Sequence, residues 1–102
     1  MYSAREHVEY ADWLEELERA ADRLTLSTDA RSYAAELFLA DVPEADRSKR
    51  AALAASLYAG SLVAGDGRTQ TAIADAVDVS RLSVQQRWKD RLENAGLEPP
   101  GW

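Results

Sequence analysis

Residues 80–95 read SRLSVQQRWKDRLENA, and no other stretch of the chain spaces so many chemically useful side chains so regularly. On a helix, Val84, Trp88, Leu92 and Ala95 recur at the 3.6-residue period of a buried face. Leu82, Gln85, Gln86 and Lys89 then point away from it. These are types that read nucleic acid rather than break bonds. A glutamine amide pairs bidentately with adenine, and an apolar side chain touches the thymine methyl group. Arg81, Leu82, Gln85 and Gln86 are therefore the candidates for base edges of double-stranded DNA. Arg68, Ser80, Arg87, Lys89 and Arg91 are the candidates for its phosphates, where cations and hydroxyls set register without reading sequence. A plainer alternative stays open: Leu82 packs on a neighbouring helix and the arginines pair with nearby acids.

Other constellations carry less. His7 is the single histidine, set among Glu6 and Glu9, and a metal site needs several ligands at fixed spacing. Glu15, Glu16 and Glu18 form a charged helix face, not an acid/base pair in a cleft. The run Gly65-Asp66-Gly67-Arg68 lacks the preceding strand and following Lys-Ser/Thr of a phosphate loop, so it reads as a helix end and turn. Trp13 and Trp88 read as core. Trp102, after Pro-Pro-Gly, is either an untethered tail or a docking anchor. No nucleophile–base arrangement is assembled, so neither an enzyme nor a cofactor, metal or small-molecule substrate is expected.

Composition sets the frame for these residues. A chain of 102 residues with 46% hydrophobic content suits one domain with a modest core. There is no cysteine, which excludes disulfides and thiolate metal sites and fits a cytoplasmic protein. No apolar run approaches the ~20 residues that span a bilayer, and the first ten residues lack a secretory leader. The net charge is −6, unevenly spread: residues 1–46 hold 4 basic and 12 acidic side chains, residues 47–102 hold 8 and 6. A nucleic acid would avoid the first part and tolerate the second. Ten arginines against two lysines, with abundant Asp, Glu and Ala, resemble the proteins of salt-loving archaea. In molar salt the Debye length is about 3 Å, which screens such a surface.

Strand signals are missing, with one isoleucine and no alternating β-branched run. The chain reads as five helices. The first spans about Ser3 to Leu26, with Tyr10, Trp13, Leu14, Leu17, Ala20, Ala21 and Leu24 on one face. The second starts near Thr28 as N-cap, carries Ala30, Tyr33, Ala34, Leu37 and Phe38 inward, and stops before Pro43. The third, Arg50 to Ala64, has almost no polar face and is expected to be buried all round, its small residues admitting close neighbours. Gly65 to Gly67 ends it. The fourth, Thr69 to Val77 with Thr69 as cap, and the fifth, Arg81 to Ala95 capped by Ser80, meet at a tight turn in which Asp78 tolerates the left-handed conformation. Together, residues 69–95 match a helix-turn-helix. The expected organisation is one all-α domain over residues 1–97 and a short tail over 98–102.

Three segments in this order resemble a family. Ala55-Ser56-Leu57-Tyr58-Ala59-Gly60-Ser61-Leu62 follows a pattern A-x-x-Y-A-A-x-L. Thr69-Gln70-Thr71-Ala72-Ile73-Ala74 follows T-Q-x-x-(V/I)-A. Val79 to Leu92 follows V-T-x-V-T-I-R-x-(R/S)-Y-(K/R)-x-L. Residues 51–97 thus resemble a cyclin-like repeat of archaeal transcription factor B, the TFIIB family, and most nearly its second repeat. The resemblance implies a five-helix cyclin-like bundle with a buried third helix and a C-terminal helix-turn-helix. It implies a reader of a promoter element beside the TATA box, in which the position of Leu82 and the arginine of T-I-R touch bases. Here that arginine is Gln85, which shifts preference from guanine towards adenine. The family's zinc ribbon needs cysteines this chain lacks, and its two repeats exceed this length. A stand-alone DNA-binding regulator that kept one reading repeat is one expectation. A cyclin-like adaptor, its acidic first helix meeting a TATA-binding protein or RNA polymerase, is the other.

Overall fold

The computed structural model describes residues 10–97. Among them are five helices and no strand: α1 (Ala11–Leu24), α2 (Thr28–Ala40), α3 (Asp46–Val63), α4 (Gln70–Val77) and α5 (Arg81–Asn94). The expected residues 3–9 of the first helix, His7, and the tail with Trp102 lie outside the described residues.

Local chemistry fixes most boundaries. Three helices begin on a hydroxyl that accepts a backbone N–H of the first turn: Ser27 from Ala30, Thr69 from Ala72, and Ser80 from Ser83. The cap of α2 is therefore Ser27 rather than Thr28, because Ser27 takes the extended backbone that an N-cap requires. Helix α3 starts a full turn before the expected Arg50. Its first turn, Asp46-Arg47-Ser48-Lys49, carries no apolar stripe for periodicity to find, yet Asp46 suits the positive end of a helix dipole.

The all-α cyclin-like bundle is built around α3. Ten of its residues are buried, from Ala51 through Leu57 and from Ala59 through Ser61. The main core draws on every helix, with Leu17 and Ala21 from α1, Ala30, Ala34 and Phe38 from α2, Leu53 and Leu57 from α3, Ile73 and Val77 from α4, and Val84 from α5. Tyr58 meets Trp88 edge-to-face, centroids 5.4 Å apart, and binds α3 to α5. Three apolar expectations fail. Val63, in the last turn of α3, is 39% exposed, so the helix is not buried all round. Tyr33 is 37% exposed, because Ala30, Ala34 and Phe38 already fill the line of contact with α3 and leave its larger ring at the edge. Ala95 is exposed, because α5 has ended at Asn94 and the chain turns away through Gly96 at φ 80°.

The small residues of α3 do bring a neighbour close. A β-carbon on Gly60 would stand 2.7 Å from the backbone nitrogen of Ala34 and 3.1 Å from the carbonyl oxygen of Ala30. Backbone meets backbone there, so no side-chain rotation relieves the clash. Gly60→Ala should cost about 1–3 kcal/mol by overpacking, net of the gain of about 1 kcal/mol in helix propensity. Thermal unfolding followed by circular dichroism checks this. A melting temperature equal to wild type would contradict the α2–α3 contact.

Candidate nucleic-acid interface

The corner between α4 and α5 orients the second helix. Asp78 adopts φ 63°, ψ 51°, the left-handed conformation that terminates α4, and Val79 returns its N–H to Ala74. Ser80 then caps α5. Two guanidiniums hold the end of α4 from outside the corner. Arg23 donates to the carbonyl of Ala76 at 2.8 Å and Arg50 to that of Val77 at 3.2 Å. These carbonyls have no partner within their own helix, and they sit at the negative end of its dipole.

With Val84, Trp88 and Leu92 buried, α5 presents its other side. Arg81, Leu82, Gln85, Gln86, Arg87 and Lys89 are all exposed, and Leu82 is 55% exposed, so it does not pack on a neighbouring helix. From Ser80 to Lys89 there is no carboxylate, and the first acid of the helix is Asp90. Lys89 places its ammonium 5.5 Å from the centroid of the Trp88 ring.

One residue of this surface escaped the sequence reading. Gln70, the first residue of α4, donates through Nε2 to Oε1 of Gln85 and accepts at its own Oε1 from Arg81 at 3.1 Å. The side chain of α4 thus ties two outward residues of α5 into one polar row. Thr69 caps α4, and nothing local in the sequence signals that the glutamine beside it reaches across to α5.

Arg68 and Arg91 do not join the row. Arg68 donates Nε to Leu24 O at 3.1 Å, Nη2 to Thr25 O at 3.1 Å and Nη1 to Asp66 Oδ1 at 2.8 Å. It closes the C-terminal end of α1 and is spent inside the fold. Asp66 in turn accepts the backbone N–H of Ser27 at 2.8 Å, so the loop after α3 clamps the α1–α2 connection. Arg91 is only 5% exposed and reaches back to the end of α2, donating Nη1 to Asp41 O at 2.7 Å. Its Nη2 pairs with Asp41 Oδ2 at 3.3 Å. The sequence placed Arg91 on the flank beside Arg87, but one step of the helix turns it into the bundle. Burial pushes its pKa down, Asp41 opposes that, and Arg87 adds to it.

Residues 7–94 match the family model described as the transcription factor TFIIB repeat. The chain belongs to the TFIIB family. It is 34% identical over 87 residues to "Transcription initiation factor IIB" of Pyrococcus horikoshii, a match covering 78% of this chain and 28% of that protein. The protein of the same name from Pyrococcus abyssi is 32% identical over 83 residues, again 78% of this chain and 28% of the relative. A haloarchaeal relative, from Haloarcula vallismortis, is 28% identical over 82 residues, covering 78% of this chain and 72% of that sequence. The TFIIB-repeat chain thus spans little more than a quarter of the length of the Pyrococcus relatives. No solved structure matches it.

Two arginines that look alike in the sequence of this TFIIB repeat should therefore separate on mutation. Arg91→Ala strands the Asp41 carbonyl and should cost about 1–3 kcal/mol, less than a fully buried pair because Asp41 is largely in solvent. Arg87→Ala should stay within about 0.5 kcal/mol. Urea titrations of both variants measure the difference. A second outcome concerns acid. The Arg68 guanidinium first, and the Ser27 N–H second, hold the Asp66 carboxyl below its ordinary value. That stabilisation is complete above the ordinary carboxylate range and is lost as pH falls through the lowered value. Asp66→Asn should flatten the fall of stability below about pH 4, as read by melting temperature against pH.

Proposed function

We propose that this TFIIB-repeat protein is a DNA-binding transcription regulator that reads double-stranded, promoter-like DNA with α5. The observation that carries this reading is the exposed, carboxylate-free face of α5's first ten residues, counting its cap, with Leu82 at its centre and Arg81 and Gln85 tied through Gln70. A helix that enters the major groove reads bases with its N-terminal residues. Arg81, Leu82, Gln85 and Gln86 meet base edges, and Gln70 holds two of them in place before the duplex arrives. Ser80, Arg87 and Lys89 face the phosphates. One such helix reads few base pairs, so specific use calls for a second copy or a co-bound factor. A TATA-binding protein or RNA polymerase is the partner that fits the relatives' role as initiation factors. The acidic remainder of the surface suits a cytoplasm of high salt, as the composition suggests.

The adaptor reading keeps one observation in its favour. Asp12, Glu15, Glu18 and Asp22 leave α1 acidic and exposed, beside a groove of about 490 Å³ in which Leu14, Leu17 and Leu26 face Arg31 and Ala35. A basic partner docked there would survive nuclease in a pull-down with TATA-binding protein and be lost when Glu15 and Glu18 are changed to lysine.

An amide-NMR titration with a promoter-derived duplex, at low and at high potassium chloride, tests the DNA reading. Shifts should gather at Gln70 and at residues 80–89 and weaken steeply with salt. Gln85→Ala should narrow the gap between the promoter duplex and a scrambled one, by the ~1–3 kcal/mol a bidentate base contact carries. Arg87→Ala should weaken both equally and lower the salt slope by about 1. An equal loss on both duplexes for Gln85→Ala would remove it from the base-reading set.

A further inference from the structure

Three side chains in front of α5 form a run of hydrogen bonds whose polarity is set at one end. Arg81 donates Nη1 to Oε1 of Gln70 at 3.1 Å, and Nε2 of Gln70 donates to Oε1 of Gln85. A guanidinium carries donors only, so the atom of Gln70 that faces Arg81 must be its oxygen. The amide nitrogen of Gln70 is then on the side of Gln85, and a nitrogen that only donates requires an oxygen opposite it. Arg81 thereby fixes which way round both carboxamides sit. What Gln85 has left to offer is its Nε2, which has no hydrogen-bond partner among the described residues. The run is held at both ends by regular backbone. Gln70 is the first residue of α4, directly after the Thr69 cap, and is half-buried. Arg81 and Gln85 are four apart on α5 and reach Gln70 from one face of that helix. No carboxylate between Ser80 and Lys89 competes for Arg81.

A glutamine whose amide is free suits adenine, because it offers an acceptor beside a donor. The oxygen of Gln85 is already engaged by Gln70. A side chain that offers N–H groups alone suits a base edge that offers acceptors alone. Guanine has such an edge in N7 and O6, and cytosine is its opposite, with the N4 amino donor. One nitrogen can serve both guanine acceptors, as a lysine does. We propose that Gln70 is a positioning residue that determines specificity: by occupying the oxygen of Gln85 it makes that side chain a donor, selective for guanine over cytosine in the major groove. The inference rests on the DNA reading and deepens it, from which residues face the bases to which edge one of them takes. Gln85 stands where the family pattern has arginine, so a run of bonds that ends on an amide is not part of that pattern.

Gln70→Glu tests it in the full chain. Glutamate still accepts from Arg81, but towards Gln85 it can only accept, so Gln85 must turn its nitrogen inward and its oxygen outward. A carboxylate at the first position of α4 suits the helix dipole, so the melting temperature should not fall. In the free wild-type protein, the side-chain NH2 protons of Gln70 should exchange with water more slowly than those of Gln85 and Gln86, and Gln85→Ala should abolish the difference. In Gln70→Glu the slow protons should be those of Gln85. Equal exchange at all three glutamines of the wild type would overturn the proposal before any DNA is added. Binding is then measured to promoter duplexes in which each base pair is replaced in turn. At the pair whose preference is lost in Gln85→Ala, wild type should favour one orientation of the G·C pair over the other by about fivefold or more. Gln70→Glu should reverse that order, and Gln70→Glu combined with Gln85→Ala should show no preference there. An unchanged order in Gln70→Glu, with Gln85→Ala still losing it, overturns the proposal and leaves the DNA reading standing. A wild-type chain that binds no duplex removes both.

Discussion

Gly60 lies against the backbone of Ala34, and Ala54, Ala55, Leu57 and Ala59 are enclosed on the remaining sides of the same helix. A helix surrounded in this way constrains everything packed on it. Its side chains must be small or apolar, its neighbours must approach within backbone contact, and almost no polar group can be placed on it. The two serines inside it show how narrow the tolerance is. Ser61 returns its hydroxyl to the Tyr58 carbonyl at 2.8 Å, while the buried Ser56 hydroxyl has no hydrogen-bond partner among the described residues. Burial of apolar surface supplies the attraction, and the arrangement leaves the polar ends of the other helices to be satisfied from elsewhere.

Arginine does that work. The end of α1 is closed by Arg68, the end of α2 by Arg91, and the end of α4 by Arg23 and Arg50. Each guanidinium reaches carbonyls that have no partner in their own helix and that lie at the negative end of its dipole. These bonds join segments far apart in the chain, such as Leu24 with Arg68 and Asp41 with Arg91, so they tie the bundle together as well as finish its helices. Arg31 adds a similar tie between α2 and α1 through Leu26 O, Glu18 and Asp22. A guanidinium, always charged and able to donate in several directions, suits this task better than an ammonium. The preference for arginine, ten against two lysines, therefore has a structural meaning.

The same economy exposes the candidate interface. Among the described residues, the arginines with neither an ion pair nor a bond to a backbone carbonyl are Arg47, Arg81 and Arg87, on the first turn of α3 and on α5. The corner at Asp78 aims α5 outward there, and Gln70 restrains the side chains in front. An overall acidic protein can in this way carry a basic working surface, because what a ligand meets is the local arrangement of charge and not the sum.

Much of this protein was written in its sequence. Hydroxyl caps at Thr69 and Ser80, the left-handed Asp78 and the burial of α3 from Ala51 to Ser61 rest on local signals that the sequence displays. The outward placement of Leu82, Gln85 and Gln86 followed from the inward period of Val84, Trp88 and Leu92. The sequence could not say which cation served the fold and which served the surface. Arg87 and Arg91 are four residues apart on one helix, yet one faces solvent and the other reaches Asp41, fifty residues back. Nor could it show that Gln70 would meet Gln85. Periodicity reports which side of a helix is buried. What a long polar side chain touches depends on where other helices end, and only the packing of all five around α3 brings those ends together.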